Sequence, residues 1–402
     1  MKNVKIAVIG LGQRGYGVLT NNLLKMDDLD IVGLCDLYDD RVERAANAVA
    51  EVKGYTPFGT KSYEEIFAIE GLDAVYVATC WETHVSISID AMRKGIPVAC
   101  EVGGAYTLEE CYELVRTYEE TQTPFAFMEN CCFNNSELLA TAAVRAGALG
   151  QIVHCSGAYG HDLRQEVSHG NLWRHYRLNN YRDRNCENYP THELGPIAQI
   201  LDINRGNRFL SLVSVASKAA GLNQFAKDHP NANPALATAN FAQGDVITTV
   251  IKCARGETIT LHLDTSLPRP YSRGFTVQGT KGMYQEDTRS FFIDEDMAGK
   301  EHWDWSPQWN NQGRYFEKYR HPVWVDYLQN GIRGGHGGMD GLVYNEFIEC
   351  VRTGKPCPID VYDGAAWMAV TALSEESIAK GGMPVAFPDF TSGAWCAYSV
   401  EE

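Results

Sequence analysis

The sequence predicts an α/β fold in two parts: an N-terminal doubly wound parallel sheet, then an α+β domain whose sheet is mostly antiparallel. Three observations predict it. Short apolar runs alternate with helical patterns through the first 130 residues, a glycine-rich turn follows the first run, and strand-like runs succeed one another between about 209 and 289. The division falls near residue 130, with 1–130 expected to bind a nucleotide and 131–402 to bind the substrate. A chain of 402 residues with 45% hydrophobic side chains can fill two such cores.

Residues 4–9 (VKIAVI) read as the first strand. GLGQRG (10–15) follows at once, and YGVLTNNLLK then carries apolar side chains at helical spacing. Strand, Gly-x-Gly-x-x-Gly and helix in that order form the context a dinucleotide fingerprint requires. Gly10 permits the tight turn, Gly12 lets backbone approach a pyrophosphate, and Gly15 lets the helix pack closely on the strand. A second apolar run, 30–35 (DIVGLC), ends at Asp36. A carboxylate there accepts hydrogen bonds from ribose hydroxyls and repels a 2′-phosphate, which favours NAD over NADP. Further strands at 73–79, 96–101 and 124–130, separated by helical stretches, complete a Rossmann sheet. Ligands of such sheets bind beyond the carboxyl ends of the strands. Trp81 to His84, Glu101 and Asn130 occupy those ends and are expected to face the nicotinamide and the substrate.

The second part opens with a helix (134–150) and a strand (151–159). Strands follow at FLSLVSVAS, DVITTVIKCA, TITLHLDTS and GFTVQGTKGMYQE, while the polar, aromatic and Gly-rich stretches 222–240 and 296–338 read as long loops. The densest chemistry lies between: Trp173-Arg174-His175-Tyr176-Arg177, then Tyr189-Pro190-Thr191-His192-Glu193. Leu194, Ile197, Ala198 and Leu201 fall on one face of a helix, so His192 stands at or beside its N-terminus. The positive end of the helix dipole favours an uncharged imidazole there, a ready general base. A second candidate is the glycine-rich stretch around His336 and Asp340, which also reads as a hinge.

Composition excludes other classes. With 35 basic and 51 acidic residues, the net charge of −16 leaves no broad basic face for nucleic acid or an anionic membrane. The 12 cysteines lie largely in apolar runs and form no CxxC pair, so neither a disulfide scaffold nor zinc is expected. Without HxxxH, no metal is expected at the histidines either. No run approaches 18 apolar residues, and Met1 leads within a few residues into a strand, so a cytoplasmic protein is expected. An exposed face on the second-domain sheet makes a homo-oligomer the expected state.

The N-terminal MKNVKIAVIGLGQRG, Asp36 and GIPVACEVGGA together resemble the Gfo/Idh/MocA group of NAD(P)-dependent sugar oxidoreductases. That group usually carries Glu-Lys-Pro after the fourth strand, the lysine assisting proton transfer. Here the residues are Glu101-Val102-Gly103, and the lysine is absent. WETH (81–84), EVGGA (101–105), ENCCF (129–133), YPTHELGP (189–196), PRPYSRGF (268–275) and GHGGMD (335–340) more narrowly resemble the NAD-dependent α-N-acetylgalactosaminidases. The resemblance implies a glycosidase that retains NAD. It oxidises the sugar at carbon 3, loses the acidified carbon 2 proton, eliminates the glycosidic oxygen, adds water and reduces the ketone again. It implies NAD contacts at Gln13, Arg14, Asp36, Trp81 to His84, Glu101, Val102 and Asn130. Substrate contacts, with catalytic roles for Tyr159, Tyr189 and His192, fall on Tyr159, Arg177 (preferred to Arg174), Tyr189 to His192, Tyr271 and Glu101. The family usually has glycine where Glu193 stands. The alternative activity is an NAD-dependent sugar dehydrogenase that oxidises carbon 3 without hydrolysis.

Overall fold

A computed structural model describes residues 3–397 apart from 171, 230, 300 and 302–304, and within them the chain packs as two compact units. The first comprises Met1–Asn130 together with Asn330–Ala369, and the second Cys131–Gln329 with Val370–Glu402.

In the first unit, β1 (Val4–Ile9), β2 (Leu29–Cys35), β3 (Phe58–Thr60), β4 (Ala74–Val77), β5 (Val98–Cys100) and β6 (Phe125–Phe127) form one parallel sheet. Their order is β3-β2-β1-β4-β5-β6. β4, β5 and β6 are buried along their whole length, which is why they read as unbroken apolar runs rather than alternating ones. The order reverses direction beside β1, between β1 and β4. That is the switch point where a doubly wound sheet opens a crevice at its carboxyl edge. Helices such as Gln13–Asn21, Asp39–Lys53, Trp81–Arg93 and Leu108–Thr121 make the crossovers. Leu108–Thr121 begins in a capping box: Thr107 Oγ1 accepts from the Glu110 N–H, and the Glu110 carboxylate accepts from the Thr107 N–H. Thr107→Ala is therefore expected to lower the unfolding free energy of this unit by about 1 kcal/mol, measurable as a shift in urea midpoint.

The pattern of apolar runs assigns 131–402 to the second part, whereas Asn330–Ala369 packs with the first. The reason lies in long-range contacts. Helix Met339–Thr353 brings Tyr344 to Glu101 of the sheet edge, and Trp367 packs edge-on against Phe127.

The second unit holds a mixed sheet of eight strands. They are β7 (Ile152–Gly160), β8 (Phe209–Ala216), β9 (Val246–Cys253), β10 (Thr258–Asp264), β11 (Thr276–Gly279), β12 (Gly282–Gln285), β13 (Ser290–Ile293) and β14 (Val385–Ala386). The order is β13-β12-β11-β7-β10-β9-β8-β14, antiparallel throughout except for the β7–β10 pair. β10 buries alternate residues, as a sheet covered on one face requires. GFTVQGTKGMYQE is two strands, β11 and β12.

Two expected loops contain helices. Gly221–Asp228 and the 3-10 turn Pro234–Thr238 lie in 222–240, and helices Phe316–Tyr319 and Pro322–Asn330 lie in 296–338. Residues 300 and 302–304 of that second stretch lie outside the described residues. These helices are short and bury few side chains: Leu222, Phe225 and Ala226 in one, Trp324 and Tyr327 in another. A pattern read over eleven or more residues passes over elements of that size. No helix among the described residues is long and apolar enough to cross a membrane.

Candidate active site

In the first unit, residues 10–15 make the tight turn between β1 and helix Gln13–Asn21. Gly10 has φ +95°, and a Cβ there would strike the Ala78 carbonyl. A Cβ on Gly15 would likewise collide with the Gly10 carbonyl oxygen. Gly12 is different. Its φ of −62° suits any residue, and a Cβ would meet only the Arg41 guanidinium, at 3.6 Å. Nothing in the protein's own packing demands glycine at this position. The helix beyond it starts with no side-chain cap. A smooth backbone surface before uncapped N–H groups suits a diphosphate that approaches the main chain.

Asp36 ends β2, with its carboxylate accepting from the N–H groups of Leu11 (2.8 Å) and Tyr38 (3.1 Å). Those bonds lock it against the glycine turn. Arg41, the cation that would greet a 2′-phosphate, lies 3.5 Å from the same carboxylate and over the Tyr38 ring. This donor set fits an NAD-type ribose.

The other residues expected on this side divide by exposure. Gln13 is exposed at the start of its helix. Trp81, His84, Val102 and Asn130 are buried. His84 Nε2 lies 3.1 Å from the Thr79 carbonyl oxygen, and burial keeps its imidazole below the usual range, hence neutral at pH 7. It ties helix Trp81–Arg93 to the strand end that precedes it. Glu101 is a buried hub: Oε1 accepts from Arg14 Nε (2.9 Å), Tyr76 OH (2.9 Å) and Tyr344 OH (2.8 Å). Burial first, and the Glu101 charge second, push both phenols well above their ordinary values. Glu101, expected at the cofactor and substrate, also anchors Arg14.

In the second unit, the expected Tyr159, Arg177, Tyr189, His192 and Tyr271 converge. Tyr159 comes from the end of β7, and His192 from the second position of helix Thr191–Ile200. The Tyr159 and Tyr189 rings lie 4.6 Å apart between centroids, and the His192 ring lies 4.9 Å from Tyr189 and 5.7 Å from Tyr159. Tyr189 OH is 3.5 Å from His192 Nε2. Arg177 is buried, with its guanidinium 5.0 Å from the Tyr189 ring centroid and Nε 3.1 Å from Glu166. Arg174, the less favoured alternative, is exposed. Burial pushes the Tyr159 phenol up to about 12, and the Arg177 charge partly opposes that rise.

One member of this group lay outside the sequence reading. Tyr159 OH is 3.1 Å from His161 Nδ1, and the His161 ring stands 5.1 Å from that of Tyr271, which is 49% exposed. Burial, and then the Arg177 charge, keep the His161 imidazole below its usual range. The available signal was the i, i+2 spacing from Tyr159, which puts both side chains on one side of an extended segment.

The result is two phenol–imidazole couples, Tyr159–His161 and Tyr189–His192, beside a buried guanidinium. Each couple sets a hydroxyl and a ring nitrogen close enough to relay a proton between them. Two acids of this unit are sealed away from such work. Burial raises Glu187 to about 8 and, against the pull of Arg273, Glu137 to about 7.

Residues 133–397 match the C-terminal domain of glycosyl hydrolase 109, and residues 4–128 match the oxidoreductase family with an NAD-binding Rossmann fold. A glycosyl hydrolase family 109 protein of Parabacteroides distasonis is 38% identical, across 98% of this chain and 88% of that one. An α-N-acetylgalactosaminidase of Tannerella forsythia is also 38% identical, across 98% and 87%. Among solved structures, the WlbA dehydrogenase from Bordetella pertussis in complex with NADH and UDP-GlcNAcA is similar at a TM-score of 0.67 and 15% identity. It covers 96% of this chain and 98% of that one.

Proposed function

Because this chain belongs to glycosyl hydrolase family 109, a glycosidase family whose N-terminal portion here is an NAD-binding Rossmann domain, we propose that it cleaves α-linked N-acetylhexosaminides by transient oxidation. The observation that carries this reading is the paired phenol–imidazole group of the second unit. Hydrolysis by direct displacement uses two carboxyl groups flanking the glycosidic bond. A route through a ketone at carbon 3 instead needs bases that move protons at carbon 2 and at the carbon 3 oxygen. Tyr159 with His161 and Tyr189 with His192 are suited to those two positions. NAD, held at the glycine turn and Asp36 of the first unit, would supply a reversible two-electron oxidation at carbon 3. Arg177 stabilises negative charge as it develops on an adjacent phenol or sugar oxygen, and its burial makes that interaction strong. The absence of a lysine at Val102 fits a site whose proton transfers are handled by the tyrosine–histidine couples.

The test is incubation with a 4-nitrophenyl α-N-acetylgalactosaminide in deuterated water with no NAD added. Phenol release with deuterium at carbon 2 of the product sugar is the expected outcome. Accumulation of NADH without phenol release would overturn the reading in favour of a carbon 3 dehydrogenase.

A further inference from the structure

The glycine-rich stretch around His336 is more than a hinge. Gly337 and Gly338 have φ of +64° and +104°, and they lead directly into helix Met339–Thr353. That turn delivers Asp340, almost wholly buried, to two side chains that the family resemblance places among the NAD contacts. Arg14 donates to it through both terminal nitrogens, Nη1 to Oδ2 at 2.8 Å and Nη2 to Oδ1 at 3.0 Å. Asn130 Nδ2 donates to Oδ1 at 2.7 Å. His336 Nδ1 lies 2.8 Å from Oδ2 and 3.2 Å from Arg14 Nη1. Burial opposes ionisation of Asp340, but hydrogen bonds from His336 and Arg14 outweigh it and hold the carboxyl well below the usual carboxylate range.

Arg14 thus lies between two carboxylates, Asp340 on its outer nitrogens and Glu101 on Nε. A two-pronged arginine–carboxylate pair fixes the guanidinium plane as well as its place. Asn130, at the end of the strand run through β6, is fixed by the same carboxylate. One aspartate therefore sets the orientation of a side chain in the glycine turn and of another at a distant strand end.

We propose that Asp340 is the positioning residue of the dinucleotide site, holding Arg14 and Asn130 in the geometry that retains NAD. This rests on the reading that NAD occupies the first unit. Both Asp340 carboxylate oxygens are taken up by protein partners, so its loss acts through Arg14 and Asn130.

The experiment follows exchange of bound NAD against isotopically labelled NAD in the full chain loaded with the cofactor, by mass spectrometry. Asp340→Asn keeps the shape but removes the charge from two charge-assisted bonds, and is expected to speed NAD release about tenfold or more. Adding Asp340→Asn to an Arg14→Gln background is expected to give little further acceleration, because the two act as one unit. His336→Ala, at an exposed position, is expected to speed release about two- to threefold. It keeps the test open if Asp340→Asn does not accumulate as folded protein. Release from folded Asp340→Asn or His336→Ala protein at the parent rate overturns the proposal, as does full additivity with Arg14→Gln. Failure of the unmodified chain to bind NAD overturns the cofactor reading itself, and is distinguishable because it appears without any variant.

Discussion

His192→Ala is expected to lower hydrolysis of an aryl α-N-acetylgalactosaminide by about a thousandfold while leaving NAD bound at the parent stoichiometry. The expectation follows from where the ring sits. His192 occupies the second position of helix Thr191–Ile200, immediately after Pro190, so backbone and ring are held by a helix start rather than by a mobile loop. It touches both tyrosines of the cluster and comes within 3.5 Å of the Tyr189 hydroxyl. Truncation removes the group that can exchange a proton with Tyr189 and leaves the phenol to act alone. The ring is not fully enclosed, so the fold should survive. Initial rates give the first half of the check. Chromatography of the nucleotide released on denaturation gives the second. A rate within tenfold of the parent would remove His192 from the chemistry, and a loss of NAD would mean that the substitution acts through the fold.

Glu187→Gln is expected to stabilise the protein at pH 9 by an amount on the order of a few kcal/mol, and to change little at pH 4. Glu187 has no exposed surface. Its N–H donates to Ser374 Oγ and its carbonyl accepts from Thr371 Oγ1, which fixes the backbone two residues before Tyr189. Burial raises its carboxyl to about 8, from about 4.3 in an unfolded chain. The folded state therefore holds this proton more tightly than the unfolded state. The stability it confers is full below about pH 4.3 and is lost as pH climbs through about 8. Glutamine has nearly the same shape and no proton to lose, so its advantage should grow across that window. Urea midpoints at pH 4 and pH 9 test this, and an equal effect at both would show that the side chain is not a protonated acid.

The parts of the fold legible in the sequence are those whose signal is local. β4, β5 and β6 are buried on both faces and wrote themselves as apolar runs; the glycine turn and Asp36 followed from spacing alone. β3 is three residues long with two exposed, and β14 is a pair, so neither leaves a period to detect. The parallel pairing of β7 with β10 is equally silent, since alternation shows which face is buried and not which way a neighbour runs. In the site, His192 is legible because it stands in a dense polar and aromatic run at a helix start. The run Trp173–Arg177 does not by itself distinguish Arg177 from Arg174, and the family resemblance makes that choice. His161 stands alone after a strand. The clasp of Arg14 by Asp340 joins residues 326 positions apart, and no local pattern carries such a contact.

The return of Asn330–Ala369 to the first unit bears on how the chain is made. At roughly 5–20 residues per second, a ribosome needs on the order of 10–40 s to pass from residue 130 to residue 330. Throughout that interval the nascent Rossmann sheet lacks Tyr344 for Glu101, Trp367 for Phe127 and Asp340 for Arg14. The N-terminal unit therefore completes its packing only after residues 340–367 have emerged, late in synthesis.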